Sequence, residues 1–383
     1  MRDAEYLYII LAAIYLIECA KWLRPDVVVF RSTAGRWRVG YPGAMLGNAH
    51  GGFVVAPPWP PAGRLLVCQP WAVSVSPEGC YGYISTSTNP LGRPLQTGAY
   101  WSWDEIRSIQ HSGKDVLIND TRLARIASSA AAKSLAAHLG QWRTLAPAQR
   151  EAEIRQAVAQ TFNRQAAKER FTQLEDNLIW LQRLATLLFF SIFGGGVLLV
   201  WTQYWRFWPW LLAALLASLV LVLGQFWRVH RRLYPERRGE RLKAFALLLV
   251  SPPAAARAPD VAALWSPADF HPLAVAEQVL QRGDFEHFAR QTLLDCRQPR
   301  LPEPPGERAE AGRTEAWFRA LLSEQLTKLA TGAGLELPKL LATPDPESAD
   351  CRTYCPRCRS QYVVDQGRCE SCGGIELTRF AAR

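Results

Sequence analysis

Residues 184–227 read LATLLFFSIFGGGVLLVWTQYWRFWPWLLAALLASLVLVLGQFW, and Arg206 is the only charged residue among them. The stretch divides into two charge-free runs, Leu184–Trp201 and Phe207–Trp227, joined by Thr202–Arg206. At about 1.5 Å per residue, helices of this length cross a hydrocarbon core of roughly 30 Å. So short a connection makes a helical hairpin whose outer ends lie on one side. Trp201, Tyr204, Trp205, Trp208 and Trp210 crowd the turn, and Trp180 and Trp227 mark the opposite ends. Amphipathic rings collect in this way at the two faces of a bilayer. The competing reading is a buried core hairpin of a soluble protein. Two adjacent charge-free runs of this length favour the membrane.

A third span is expected at the N-terminus, Tyr6–Leu23, with Glu18 and Lys21 in its last turn. The start MRDAE is a poor leader, because Asp3 and Glu5 cancel the positive charge, and no A-x-A site follows. Cys19 follows Glu18 where a lipidation site needs a small residue. The segment therefore reads as an uncleaved anchor. Basic residues set the orientation. Arg228, Arg231, Arg232, Arg237, Arg238, Arg241 and Lys243 follow the last span, and Lys21, Arg24 and Arg31 follow the first. The hairpin turn offers only Arg206, and Arg2 precedes the first span. The positive-inside rule then places the N-terminus outside and the soluble parts in the cytoplasm. The formal charge of +10 is explained largely by these flanks. The Arg/Ala-rich composition suggests a bacterial inner membrane.

Residues 25–146 read as a β-rich domain. Runs such as Val27–Phe30, Leu65–Val67, Ala72–Val75, Cys80–Tyr83, Tyr100–Trp103, Val116–Ile118 and Leu123–Ile126 alternate with Gly- and Pro-rich breaks. Trp37–Val39 and Phe53–Val55 are further candidate strands. SSAAAKSLAAHLGQW, Ser128–Trp142, predicts one terminal helix. VSVSPEGCYGY, WSWDEIRSIQ and DVLIND followed by this helix resemble bacterial pleckstrin-homology-like domains over about residues 65–142. That resemblance implies a helix-capped barrel that binds lipid head groups or peptides. Arg107, Lys114, Arg122 and Arg125 would line such a surface, or simply form a solvated face.

Residues 147–183 predict one long polar helix, from Pro147 straight into the membrane, with Ile154, Val158, Phe162, Phe171 and Leu174 at helical spacing. The region 228–350 reads as cytoplasmic, basic and helical. SPPAAARAP after Ser251 and RQPRLPEPPGERAEAG from Arg297 read as linkers. Between them, Asp260–Cys296 predicts two helices, and Thr314–Leu329 is an amphipathic helix.

The tail, residues 351–383, carries YCPRCRSQYVVDQGRCESCGGIEL. Cys355 and Cys358 form one C-x2-C pair, Cys369 and Cys372 another, with ten residues between. Four thiolates from two tight turns suit a tetrahedral zinc ion. The tail resembles a rubredoxin-like zinc ribbon over about residues 353–380. Four protein ligands leave no open position, so the implied Zn2+ is structural. A thiolate cage needs a reducing compartment, in agreement with the charge-based orientation. The other five cysteines, Cys19, Cys68, Cys80, Cys296 and Cys351, show no regular spacing.

The sequence holds no H-E-x-x-H, P-loop, G-x-S-x-G or Rossmann fingerprint. Gly194–Gly196 lies inside a span, where close helix packing accounts for it. The expected whole is an α+β membrane protein: three spans (1–24 and the hairpin 184–227), a β-rich domain and a zinc ribbon. Its expected work is that of a membrane-anchored cytoplasmic adaptor for protein partners, with self-association compatible. Two other readings stand beside it. One is a membrane enzyme using Glu18 or the acid/His cluster at 269–287, which holds Asp269, His271, Asp284, Glu286 and His287. The other is a nucleic-acid tether using Arg357, Arg359, Tyr362, Arg368 and Arg379 of the ribbon; it is less favoured than a protein contact.

Overall fold

A computed structural model describes residues 6, 9–10, 12–15, 27–31, 63–67, 73–82, 99–113, 115–125, 129–195, 198, 202, 205–235, 237–263, 270–280, 282–297, 309–356, 359–369 and 375–380. It is a mixed helical and antiparallel-sheet structure. The expected strands at 37–39 and 53–55 and the charged end of the first span, Glu18 included, lie outside the described residues.

Along the chain, β1 (Val27–Arg31) pairs antiparallel with β2 (Gly63–Val67) as a two-stranded sheet of their own. Two three-stranded meanders follow. β3 (Val73–Val75), β4 (Gly79–Gly82) and β5 (Ala99–Ser102) form the first, and β6 (Ile109–Ser112), β7 (Asp115–Ile118) and β8 (Thr121–Arg125) the second. Next come α1 (Ser129–Arg143), α2 (Pro147–Thr161) and α3 (Arg164–Phe190), the last continued by a π-helical turn, Ser191–Gly195. A 3-10 turn, Trp205–Phe207, leads into α4 (Trp208–Leu233). The helices α5 (Arg238–Val250), α6 (Pro252–Ala255), α7 (Ala258–Ala263), α8 (Pro272–Val279), α9 (Arg282–Arg297), α10 (Ala309–Gly332) and α11 (Leu337–Leu341) complete the helical part.

The chain divides into two compact units. One contains the described residues among Met1–Val39, Gly51–Val67 and Gln165–Pro267. The other contains those among Cys68–Arg164 and Ala268–Arg383. In the first unit, α3 buries Ala167, Phe171, Leu174, Leu178, Leu181, Ala185, Leu188 and Ile192, a stripe that repeats every three and four residues. The helix from Arg164 through Gly195 and α4 are both long and apolar enough to cross a membrane. Only 33% and 28% of their most apolar windows are buried. Their outer faces expose Trp180, Leu187 and Phe190, and Trp210, Leu216 and Val220. An ideal Cβ on Gly195 would lie 2.6 Å from Leu211 Cδ1, so the glycine lets the two helices approach where the π turn meets α4.

In the second unit the core of the β-region is Val73, Val75, Cys80, Trp103, Ile106, Val116, Ile118 and Leu123, with Leu139 and Trp142 from α1. The β7–β8 turn places Asn119 and Asp120 at φ 48° and 63°, the left-handed pair that a two-residue hairpin needs. Asn119 also accepts from the Arg107 and Ser108 amides at 2.7 and 3.1 Å. β4 crosses β8 closely: an ideal Cβ on Gly82 would stand 1.9 Å from the Leu123 carbonyl oxygen. Because that obstacle is backbone, Gly82→Ala is expected to destabilise this unit by about 2–3 kcal/mol, read as a lowered unfolding midpoint with Gly113→Ala as the comparison for φ strain alone.

Three expectations change, the first being that the linker expected over 297–312 is helical from Ala309 onward. Residues 147–183 form two helices, broken at Phe162–Asn163. The tertiary environment makes the break: the Phe162 ring stacks on His271 at 4.3 Å, and the His271 amide donates to the Thr161 carbonyl at 2.7 Å. The SPPAAARAP run is not an exposed linker. Pro253 through Pro259 are buried, in two short helices.

Candidate metal centre

The C-terminal tail, expected to be a zinc ribbon, is built from short strands. β9 (Thr353–Tyr354) lies between β10 (Gln361–Tyr362) and β13 (Thr378–Arg379). β11 (Arg368–Cys369) pairs with β12 (Ile375–Glu376). The loop after β9 is closed by two backbone bonds: the Cys355 amide donates to the Ser360 carbonyl, and the Arg359 amide to the Cys355 carbonyl, both at 2.9 Å. Arg359 takes φ 62°, a left-handed residue that turns the chain tightly after the first C-x2-C pair. The second pair begins at Cys369, in register with Ile375, so its loop is likewise tied off by antiparallel pairing.

Cys355 and Cys369, the first cysteine of each pair, are both fully buried and share one small core with Tyr362 and Leu377. The Tyr362 hydroxyl donates to Cys369 Sγ at 3.1 Å. Cys358 and Cys372 lie outside the described residues, and among the described residues no group of three or more His, Cys, Asp or Glu side chains is placed to hold a metal. The two described sulfurs fit a soft, sulfur-binding ion. Both sit in one small buried cluster, and the apolar core around them is too small to hold the module alone. The other thiols differ. Burial pushes the Cys80 thiol up to about 12, which keeps it protonated and inert at neutral pH. Cys296 is buried with its sulfur on the Arg319 carbonyl at 3.6 Å. Cys351 is partly exposed beside Ser348.

The segment before the ribbon is fastened to it. Gln361 accepts from the Glu347 amide and donates to the Asp345 carbonyl, at 2.8 and 2.7 Å. Arg359 donates to the carbonyls of Lys339, Leu340 and Ala342 at the end of α11. Of the five residues that suggested a nucleic-acid face, Arg359 and Tyr362 are thus turned to internal bonds. Arg368 stands 3.9 Å from Glu376, Arg379 donates to the Asp365 carbonyl, and Arg357 lies outside the described residues.

The 269–287 cluster is only partly described: Asp269 lies outside, as do the side chains of Asp284 and His287. His271 caps α8, its Nδ1 accepting from the Leu273 amide at 3.1 Å. Glu286 pairs with Arg282 on an exposed face at 2.8 Å. Arg282 also donates to the Ala333 and Gly334 carbonyls, and Arg164, bonded to Glu277, donates to that of Gly332. Both guanidiniums therefore serve the C-terminal end of α10, where the helix dipole favours positive charge. Among the basic residues of the β-region, Arg107 and Arg122 are exposed.

Compared with protein families, curated proteins and solved structures, the chain matches none.

Proposed function

We propose that this protein is a membrane-anchored adaptor whose β-region and zinc ribbon hold protein partners at the cytoplasmic face of a bilayer. The observation that carries the reading is the outer surface of the two long apolar helices. A core helix of a soluble protein buries its apolar residues, whereas here two-thirds or more of each apolar stretch is not buried. The second unit supplies the contact modules. At the turn of the ribbon, Val363 and Val364 are 64% and 46% exposed, an apolar tip suited to a protein surface. Zn2+ on Cys355, Cys358, Cys369 and Cys372 would fix that tip in place without taking part in a reaction. The test is labelling of Cys351 in intact cells by a membrane-impermeant maleimide, followed by peptide mapping. The expected result is modification only after the membrane is permeabilised, with Cys80 unlabelled throughout. Labelling of Cys351 from outside intact cells would overturn the orientation.

A further inference from the structure

We infer that Arg238–Ala263 is a re-entrant membrane element, not a cytoplasmic segment, and that the outer face of α5 is covered by lipid acyl chains. The inference rests on the reading of α3 and α4 as membrane spans. After α4 the Arg237 amide donates to the Tyr234 carbonyl at 3.2 Å, and α5 begins at Arg238. Trp227 then meets both Arg241, whose guanidinium lies 5.1 Å over its ring, and Phe245, ring to ring at 5.4 Å. Trp227 precedes the end of α4 by almost two turns, so α5 runs back alongside α4. Its basic residues, Arg238, Arg241 and Lys243, all lie in the first half, after the capping Arg237, and the rest reads AFALLLV. Val250 lies five residues past Phe245, about 8 Å further along the helix axis. It is 83% exposed, and Leu247 and Leu249 beside it are about half exposed. A soluble helix would not end in such a face.

A second observation places the following turn at span depth independently. Ala256 is fully buried against Phe189 and Tyr15, with Phe193 beside them. Phe189 and Phe193 belong to the charge-free run Leu184–Trp201. Non-helical backbone survives at that depth only when its polar groups are satisfied within the protein. Here they are. Pro252 and Pro253 have no N–H, the Ala254 amide donates to Ser251 Oγ, and the amides of Ala255, Ala256 and Arg257 donate to the carbonyls of Ser251, Pro252 and Ala254. Arg257 is buried inside the protein and not turned to lipid. The covering partner is lipid because α5 packs alongside α4, a helix read as membrane-spanning that itself exposes Leu216, Val220 and Leu221.

The test uses the full chain reconstituted in phosphatidylcholine–phosphatidylglycerol vesicles, with an environment-sensitive fluorescent amino acid at position 250, 216 or 231 in turn. Leu216 is exposed on α4, and Arg231 lies at its basic end. The expected result is that the probe at 250 loses emission to acyl-chain doxyl lipid and not to aqueous iodide, as at 216, while 231 responds to iodide. Iodide quenching at 250, or no quenching by either agent, which would mean a protein cover, overturns the inference when 216 still responds to doxyl lipid. Loss of the doxyl response at 216 would instead overturn the membrane reading beneath it.

Discussion

Arg150→Ala is expected to cost about 4 kcal/mol of stability in the second unit, far more than an ordinary helix-surface arginine. Arg150 stands in the first turn of α2 yet is 6% exposed. Its guanidinium donates to the carbonyls of Trp142, Pro77 and Leu145 at 2.8, 2.6 and 2.7 Å, and more distantly to that of Arg143. It also stacks over Trp103 at 5.0 Å, and the Trp103 indole N–H donates to the Ser76 carbonyl. One side chain thus caps the C-terminal end of α1 and ties it to the β3–β4 turn. Helix ends leave carbonyls without partners, and a hydrogen bond from a charged donor contributes about 1.5–3 kcal/mol. Truncation would leave several of these acceptors buried and unpaired. Burial lowers the guanidinium pKa and Asp104 opposes that shift, but the group stays charged at any ordinary pH. Arg150→Lys should recover little, because an ammonium cannot span the fork of acceptors. Arg155→Ala is the contrast. Its pairs with Glu151 and Glu324 are exposed, and its loss should cost about 0.5 kcal/mol or less. Denaturant unfolding of the three variants, with hydrogen exchange at Ser76 and Gly79, distinguishes the roles. A cost for Arg150→Ala equal to that of Arg155→Ala would show that the fork carries no stability.

The two long apolar helices and the tight turn after Cys355 are legible because each signal is local. A charge-free run of span length needs no tertiary knowledge, and C-x2-C spacing already dictates a tight turn. The features that were missed depend on residues distant in sequence. Arg150 lies four residues before Ile154 and eight before Val158, on the buried face of α2. That phase was readable as a warning, but the carbonyls it serves come from a different helix and a β-turn. The break after Thr161 is made by His271, more than a hundred residues away. β6, Ile109–Ser112, reads IQHS and shows no apolar alternation, because it is an edge strand with three exposed residues. Tyr362 and Arg359 looked like surface chemistry from composition alone. Only the fold shows one directed at a cysteine sulfur and the other at the end of α11. The Ala/Pro run from Ser251 departs from a linker for a related reason: the residues that favour linkers also pack tightly between helices.

Cys369→Ala, or stripping with a strong zinc chelator, is expected to unfold the ribbon while leaving the β-region intact. Structural zinc bound by four cysteines contributes on the order of 10 kcal/mol to a module of this kind. The ribbon has little else to replace that contribution. Among the described residues its buried side chains are Thr353, Tyr354, Cys355 and Cys369, with Tyr362 and Leu377 against the two sulfurs, and its described strands have two residues each. So small a core does not offset the ordering of the chain. The amides of Cys355, Arg359, Leu377 and Phe380, which bond to the carbonyls of Ser360, Cys355, Gly367 and Arg352, should lose protection from exchange together. Protection at Asn119 and in β7, in the β-region, should persist. Tyr362→Phe removes the hydroxyl donor to Cys369 Sγ and is expected to loosen zinc retention by about tenfold without unfolding the module. Cys80→Ala and Cys351→Ala should leave the zinc content unchanged, one because its thiol is buried away from the ribbon and the other because it lies outside both pairs. A metal-free protein that keeps the ribbon amides protected would show that the two buried sulfurs are merely packed together, and the cage would have to be abandoned.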